Sequence, residues 1–88
     1  VQEWNRWRAD NRDVKPQLGA VHLSRAQLRG ADFNRADLSY ANLSEANILD
    51  VDLKYAILRG ANIGGHSFDR ANLEGAILEG DGESRGDL

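Results

Sequence analysis

A large apolar residue returns every five positions along most of this chain. Starting from Leu18, it recurs at Leu23, Leu28, Phe33, Leu38, Leu43, Ile48, Leu53, Leu58, Ile63, Phe68, Leu73 and Leu78, thirteen centres without a slip. Two residues before most centres stands Ala, at Ala26, Ala31, Ala36, Ala41, Ala46, Ala56, Ala61, Ala71 and Ala76, with Val21 and Val51 as close substitutes. Pro16 and His66 are the departures. This period fits neither regular structure. A helix advances about 100° per residue and would carry the large residue about 140° round its surface at each repeat. A flat strand would throw successive centres to opposite faces, because its period is 2. The chain must therefore turn once per repeat, each unit being a short extended piece followed by a corner. All centres then point to one axis, and the small residue shares that interior without overfilling it.

Corner chemistry agrees with this reading. Outward positions are rich in Asn, Asp, Ser and Gly, with Gly30, Gly60, Gly65, Gly75 and Gly80 closing repeats. These residues adopt turn conformations at low cost. Backbone groups are expected to pair with the turn of chain above and below, at a strand separation of about 4.8 Å.

The units Ala31-Asp32-Phe33, Ala36-Asp37-Leu38, Ala41-Asn42-Leu43 and Ala71-Asn72-Leu73 resemble those of the pentapeptide-repeat proteins. The resemblance implies an all-β solenoid, a right-handed quadrilateral parallel β-helix with four pentapeptides per coil, so that the thirteen units make a little over three coils. A charge test of that register gives little discrimination. Stacking residues 20 apart places opposite charges together at Arg25/Glu45, Asp50/Arg70, Lys54/Glu74 and Arg59/Glu79, against one like pair, Asp32/Asp52. Registers of 15 or 25 residues each give three opposite pairs and one like pair.

The ends differ. Residues 1–15 read as a short capping helix and linker, in which Trp4 and Trp7 stand at helical spacing and Pro16 stops the helix before the first coil. Both indoles are expected to cover the apolar disc that a solenoid exposes at its end. Residues 16–80 form the repeat domain, and 81–88 a polar, Gly-rich tail expected to be disordered. Nothing in that tail would shield the last coil, so a disc around Phe68, Leu73 and Leu78 is expected to make a homodimer contact, continue into further chain or receive a partner. The chain does not begin with Met, consistent with a trimmed or processed chain or a fragment.

Composition narrows the function classes. With no Cys there is neither disulfide nor thiolate metal site. Eleven basic and fourteen acidic residues give a net charge of −3, which argues against a surface that tracks nucleic-acid phosphates. No apolar run is long enough to span a bilayer, and cytoplasmic location is the default. No Ser-His-Asp or Cys-His arrangement can be assembled from an interior of Leu, Phe and Ala, and no substrate cavity is expected, so the chain reads as non-enzymatic, without cofactor or metal. His66 replaces the inward Ala of its repeat and is expected to pack locally or strain the coil; His22 lies outward and too far away to pair with it. Asp32, Asp52 and Asn72 should form a vertical ladder, solvated or bonded to turn backbone rather than holding a cation. Ile57 and Ile77 occupy outward positions where Asp or Asn is usual and should stack, forming the best candidate for a lateral contact patch; Leu49 is a third outward apolar residue. Arg85-Gly86-Asp87 spells an integrin-type tripeptide, most simply by chance, and Gly80-Asp81-Gly82 lacks the context of a phosphate loop.

The expected function is that of a structural or protein-interaction scaffold whose partner the sequence does not identify. A different class, DNA mimicry directed at gyrase, is known for some proteins of the family it resembles. That activity needs a long acidic rod, whereas residues 16–80 carry six basic and eight acidic residues and three coils span roughly 15 Å. A cation- or carbohydrate-binding surface on the Asn/Asp ladders is the weakest alternative.

Overall fold

The computed structural model describes residues 1–64 and 70–78. One helix, α1 (Gln2–Asp10), opens the chain, with Val1 as N-cap making no side-chain capping bond. At its far end the Asn11 side chain donates to the Trp7 carbonyl (2.8 Å) and the Asn11 amide to Arg8 (3.1 Å). A helix this short is marginal by itself and depends on docking.

From Gln17 onward the chain returns upon itself every twenty residues. Parallel bridges join Gln17, Asp37, Ile57 and Ile77 in one column, and His22, Asn42 and Asn62 in a second. Gln27 and Asn47 make a third, and Asp32, Asp52 and Asn72 a fourth. Four pentapeptides thus make one layer, a spacing that the charge test could not single out. Layer one runs over 16–35 and layer two over 36–55; the described parts of layer three are 56–64 and 70–75, with 76–78 beginning a fourth. Each bridge is fixed by backbone bonds on both sides: the Leu38 amide donates to Ile57 (2.7 Å), and the Ile57 amide to Ala36 (2.9 Å).

Among the described residues every pairing is an isolated bridge, and no continuous strand forms. The cause is a turn in each described repeat. The residue after each corner donates to the centre three before it, as Ala36 does to Phe33 (3.0 Å) and Ala41 to Leu38 (3.0 Å). The residue just before the donor lies in the left-handed region. Gly30, Gly60 and Gly75 supply this conformation freely, but Ala20, Arg25, Arg35, Tyr40, Glu45, Asp50, Tyr55 and Arg70 adopt it too, with φ from 58 to 63°. Corners therefore accept a wider set of residues in the left-handed region than the Asn, Asp, Ser and Gly expected from the sequence, Ala, Arg, Tyr and Glu among them.

The core is the axis. Phe33, Leu38, Leu43, Ile48, Leu53, Leu58 and Ile63 are buried together with Ala31, Ala36, Ala41, Ala46, Val51, Ala56 and Ala61. Burial fades at both ends, where Leu18, Val21, Leu23, Ala26, Leu28, Leu73 and Leu78 are only partly covered. Phe68 and His66 lie outside the described residues.

Candidate interaction surface

Outward Asp and Asn side chains are occupied with their own turns. In seven repeats the side-chain oxygen accepts the amide two residues on: Asp32 from Asn34, Asp37 from Ser39, Asn42 from Ser44, Asn47 from Leu49, Asp52 from Lys54, Asn62 from Gly64 and Asn72 from Glu74, at 2.9–3.2 Å. The Asp32, Asp52, Asn72 column does form a ladder, with one oxygen of each side chain committed to backbone. Among the described residues no group of three or more His, Cys, Asp or Glu is placed to hold a metal ion.

Ile57 and Ile77 cannot make that turn bond, and they stack as a bridged pair in the first column. The structure adds aromatic neighbours that the sequence reading did not identify. The Tyr40 ring lies over Gly60, so close that a Cβ at Gly60 would stand 2.5 Å from two ring carbons. Tyr55 covers Gly75 in the same way, and the Arg35 guanidinium sits 5.2 Å from the Tyr55 ring centre. Tyr55 immediately precedes the 56–60 repeat and Tyr40 covers its last residue, so two rings bracket Ile57. Tyr40, Tyr55 and Ile77 are 58, 45 and 40% exposed. Arg59 belongs to the same repeat and acts weakly on Asp37, whose carboxyl is held below its usual range by the Ser39 hydroxyl first and the Ser39 amide next, against a smaller desolvation effect, with Arg59 the least of the four. The signal for the rings was the spacing of 20 between each Tyr and its Gly, meaningful only once the register is known. Leu49 is half-buried on another face.

At the other end, α1 takes the place of a missing layer along one column. Asn5 accepts from the Asp32 amide (2.8 Å) and donates to the Gly30 carbonyl (2.9 Å). Trp4 Nε1 donates to the Asp32 carbonyl (2.7 Å), and Arg8 to Asn34 (2.9 Å). The expectation that both indoles cover the disc is corrected: Trp4 packs on Phe33, while Trp7 stacks on Trp4 at 5.5 Å and stays 42% exposed. The docked positions are Trp4, Asn5 and Arg8, of which Arg8 is wholly buried. Because the helix caps one column, an apolar cleft of about 250 Å³ remains beside it, lined by Val1, Trp4, Leu18, Val21, Leu23 and Leu28 among others. This corrects the expectation of no cavity.

Of the foreseen ion pairs, Arg25–Glu45 (3.6 Å) and Arg70–Asp50 (2.7 Å) form. Lys54 and Glu74 make none within 4 Å, and Glu79 lies outside the described residues. Arg12–Asp32 (3.2 Å) and Arg29–Asp50 (3.7 Å) are further pairs. His22 is exposed in the second column, and the other histidine, His66, lies outside the described residues. Residues 79–88, with both short tail motifs, lie outside the described part. No described helix is long and apolar enough to cross a membrane.

A family model for pentapeptide repeats matches residues 17–53 and 46–80, in 8 copies. No curated protein matches the chain.

Proposed function

The chain belongs to the pentapeptide-repeat family, and we propose that it is a non-enzymatic scaffold that holds a protein partner on the face carrying Tyr40, Tyr55, Ile57 and Ile77. One observation carries this reading: two exposed Tyr rings flank a stacked Ile pair that has given up the turn-stabilising Asp or Asn of its column. Tyr and Arg at the rim of an apolar strip are the side chains that dominate protein interfaces. The strip leaves the axial core untouched, so partner choice and winding are set by different residues. The partner accordingly offers an apolar strip with hydrogen-bond acceptors for the Tyr hydroxyls and for Arg35 and Arg59.

The scaffold itself we read as a right-handed quadrilateral parallel β-helix over 16–80, preceded by the helix and linker of 1–15. The twenty-residue spacing of every described bridge supports it.

The test uses a photo-crosslinking residue placed at position 57 or, on the second column, at 62. A protein captured from 57 and not from 62, and lost when Tyr40→Ser and Ile77→Asn are added, is the expected result. Equal capture from both positions, or none, would sink the assignment of this face.

A further inference from the structure

The Arg8 guanidinium is fully buried, yet its hydrogen bonds go to carbonyl oxygens alone: Asn11 at 3.2 Å, Val14 at 2.8 Å and Asn34 at 2.9 Å. Its Nε–H has no partner. Carbonyl dipoles orient a guanidinium without cancelling its charge, and a buried Arg is ordinarily paired with a carboxylate. The positive charge therefore acts on its surroundings through a medium that screens poorly.

One of the residues whose carbonyls hold it, Asn34, lines an open cleft of about 420 Å³, together with Arg12, Asp13, Lys15 and Arg35. Val14, whose carbonyl also holds Arg8, is flanked in the chain by the lining residues Asp13 and Lys15 but does not itself line the cleft. Arg35 is steadied by its contact with the Tyr55 ring, and Arg12 by Asp32. Lys15 makes no ion pair among the described residues. Arg8, Arg12, Lys15 and Arg35 stand against Asp13 and Asp32, which leaves two positive charges in excess in a chain whose net charge is −3. The whole-chain balance conceals this cluster.

We infer that this cleft, between the linker that follows α1 and the end of the first layer, binds a phosphate-bearing small molecule. A dianion offsets the excess charge where a monocarboxylate would leave half of it. Guanidinium forks and an ammonium are the groups that recognise phosphate oxygens. A cluster of one sign beside low-dielectric protein concentrates such an anion locally.

The experiment is calorimetric titration of the whole chain with pyrophosphate, inorganic phosphate and acetate at constant low ionic strength, with circular dichroism to check that each variant is folded. Pyrophosphate is expected to bind more tightly than phosphate, with no measurable acetate binding. Lys15→Gln is expected to weaken pyrophosphate about tenfold, and Arg25→Gln, which loses only the exposed pair with Glu45, to leave it unchanged. Absence of pyrophosphate binding, equal binding of acetate, or an equal loss in Arg25→Gln and Lys15→Gln would each overturn the inference. The Tyr and Ile face shares only Arg35 with this cleft, and its crosslinking test at positions 57 and 62 reads other residues, so either assignment can fail without the other.

Discussion

At the scale of the residue, the corner is where this sequence meets its steepest local demand. Eight described non-Gly residues hold positive φ, a conformation that costs about 1 kcal/mol or more each for an L side chain. The repeat bears that cost because the same turn brings the next centre back to the axis. Gly30 and Gly60 both relieve the strain, but only Gly60 also makes room for a ring: a Cβ at Gly30 meets nothing within 4 Å, while one at Gly60 meets Tyr40. Gly30→Ala should therefore lower stability by about 1 kcal/mol, and Gly60→Ala by about 2 to 3. In a Tyr40→Ser background the two Ala variants should become equal in urea unfolding; a persistent gap would mean the ring is not what Gly60 accommodates. Asp37 makes a second prediction. Its carboxyl titrates below the ordinary Asp value in the folded chain, chiefly because the Ser39 hydroxyl and amide donate to it, so the stability it adds is present above the unfolded-chain pKa and is lost as pH falls through the lower folded-state value. Asp37→Asn keeps an oxygen for the Ser39 amide but no charge. The stability difference between wild type and Asp37→Asn should hold steady above pH 5 and shrink below about pH 4. A difference that is flat down to the acid unfolding limb would remove the charge from the account.

At the scale of the element, α1 illustrates how far a sequence pattern reaches. Trp4 and Trp7 announced a helix with an aromatic face, and the helix forms over Gln2–Asp10. Reading apolar residues alone nevertheless chose the wrong second anchor. Trp4, Asn5 and Arg8 share one helical face, and polar side chains are needed there because the layer edge offers unpaired backbone groups as well as apolar surface. Asn5 serves both an amide and a carbonyl of that edge, which no apolar residue could do. Legibility failed where the partner of a side chain was backbone, since any sequence presents the same backbone groups. Trp4→Ala should cost about 3 to 5 kcal/mol through the lost packing on Phe33 and the lost bond to Asp32. Asn5→Ala should cost about 1 to 3, and Trp7→Ala, which opens no core, under about 1. Thermal unfolding of the three variants orders them; a Trp7→Ala loss equal to that of Trp4→Ala would restore the two-indole cap.

At the scale of the whole molecule, the five-residue period of Leu18 to Leu78 made the repeat legible, while the twenty-residue layer came from the resemblance and was beyond the charges. Arg25–Glu45 and Arg70–Asp50 pair as that register requires, but Lys54 and Glu74 share it without pairing, and Arg29 reaches Asp50 from outside it. Exposed ion pairs of this kind are worth about 0 to 1 kcal/mol, too little to enforce a register. What enforces it is the shared axis, where each layer's centres rest on the layers before and after. Such a stack has nearest-neighbour energetics, so a central layer supports two interfaces and a terminal one supports one. Leu43 in layer two is 2% exposed, whereas Leu23 in layer one is only partly covered and borders the open cleft. Leu43→Ala should therefore cost about 3 to 5 kcal/mol and accelerate amide exchange in all three layers, because both of its interfaces are weakened together. Leu23→Ala should cost about 1 to 2 kcal/mol and accelerate exchange in layer one alone. The Leu38 and Ile57 amides, bonded between layers two and three, report the distinction directly: fast in the first variant, still protected in the second. Loss of their protection in both variants would show that the chain unfolds as a single unit, and that the graded burial along the axis does not divide its stability.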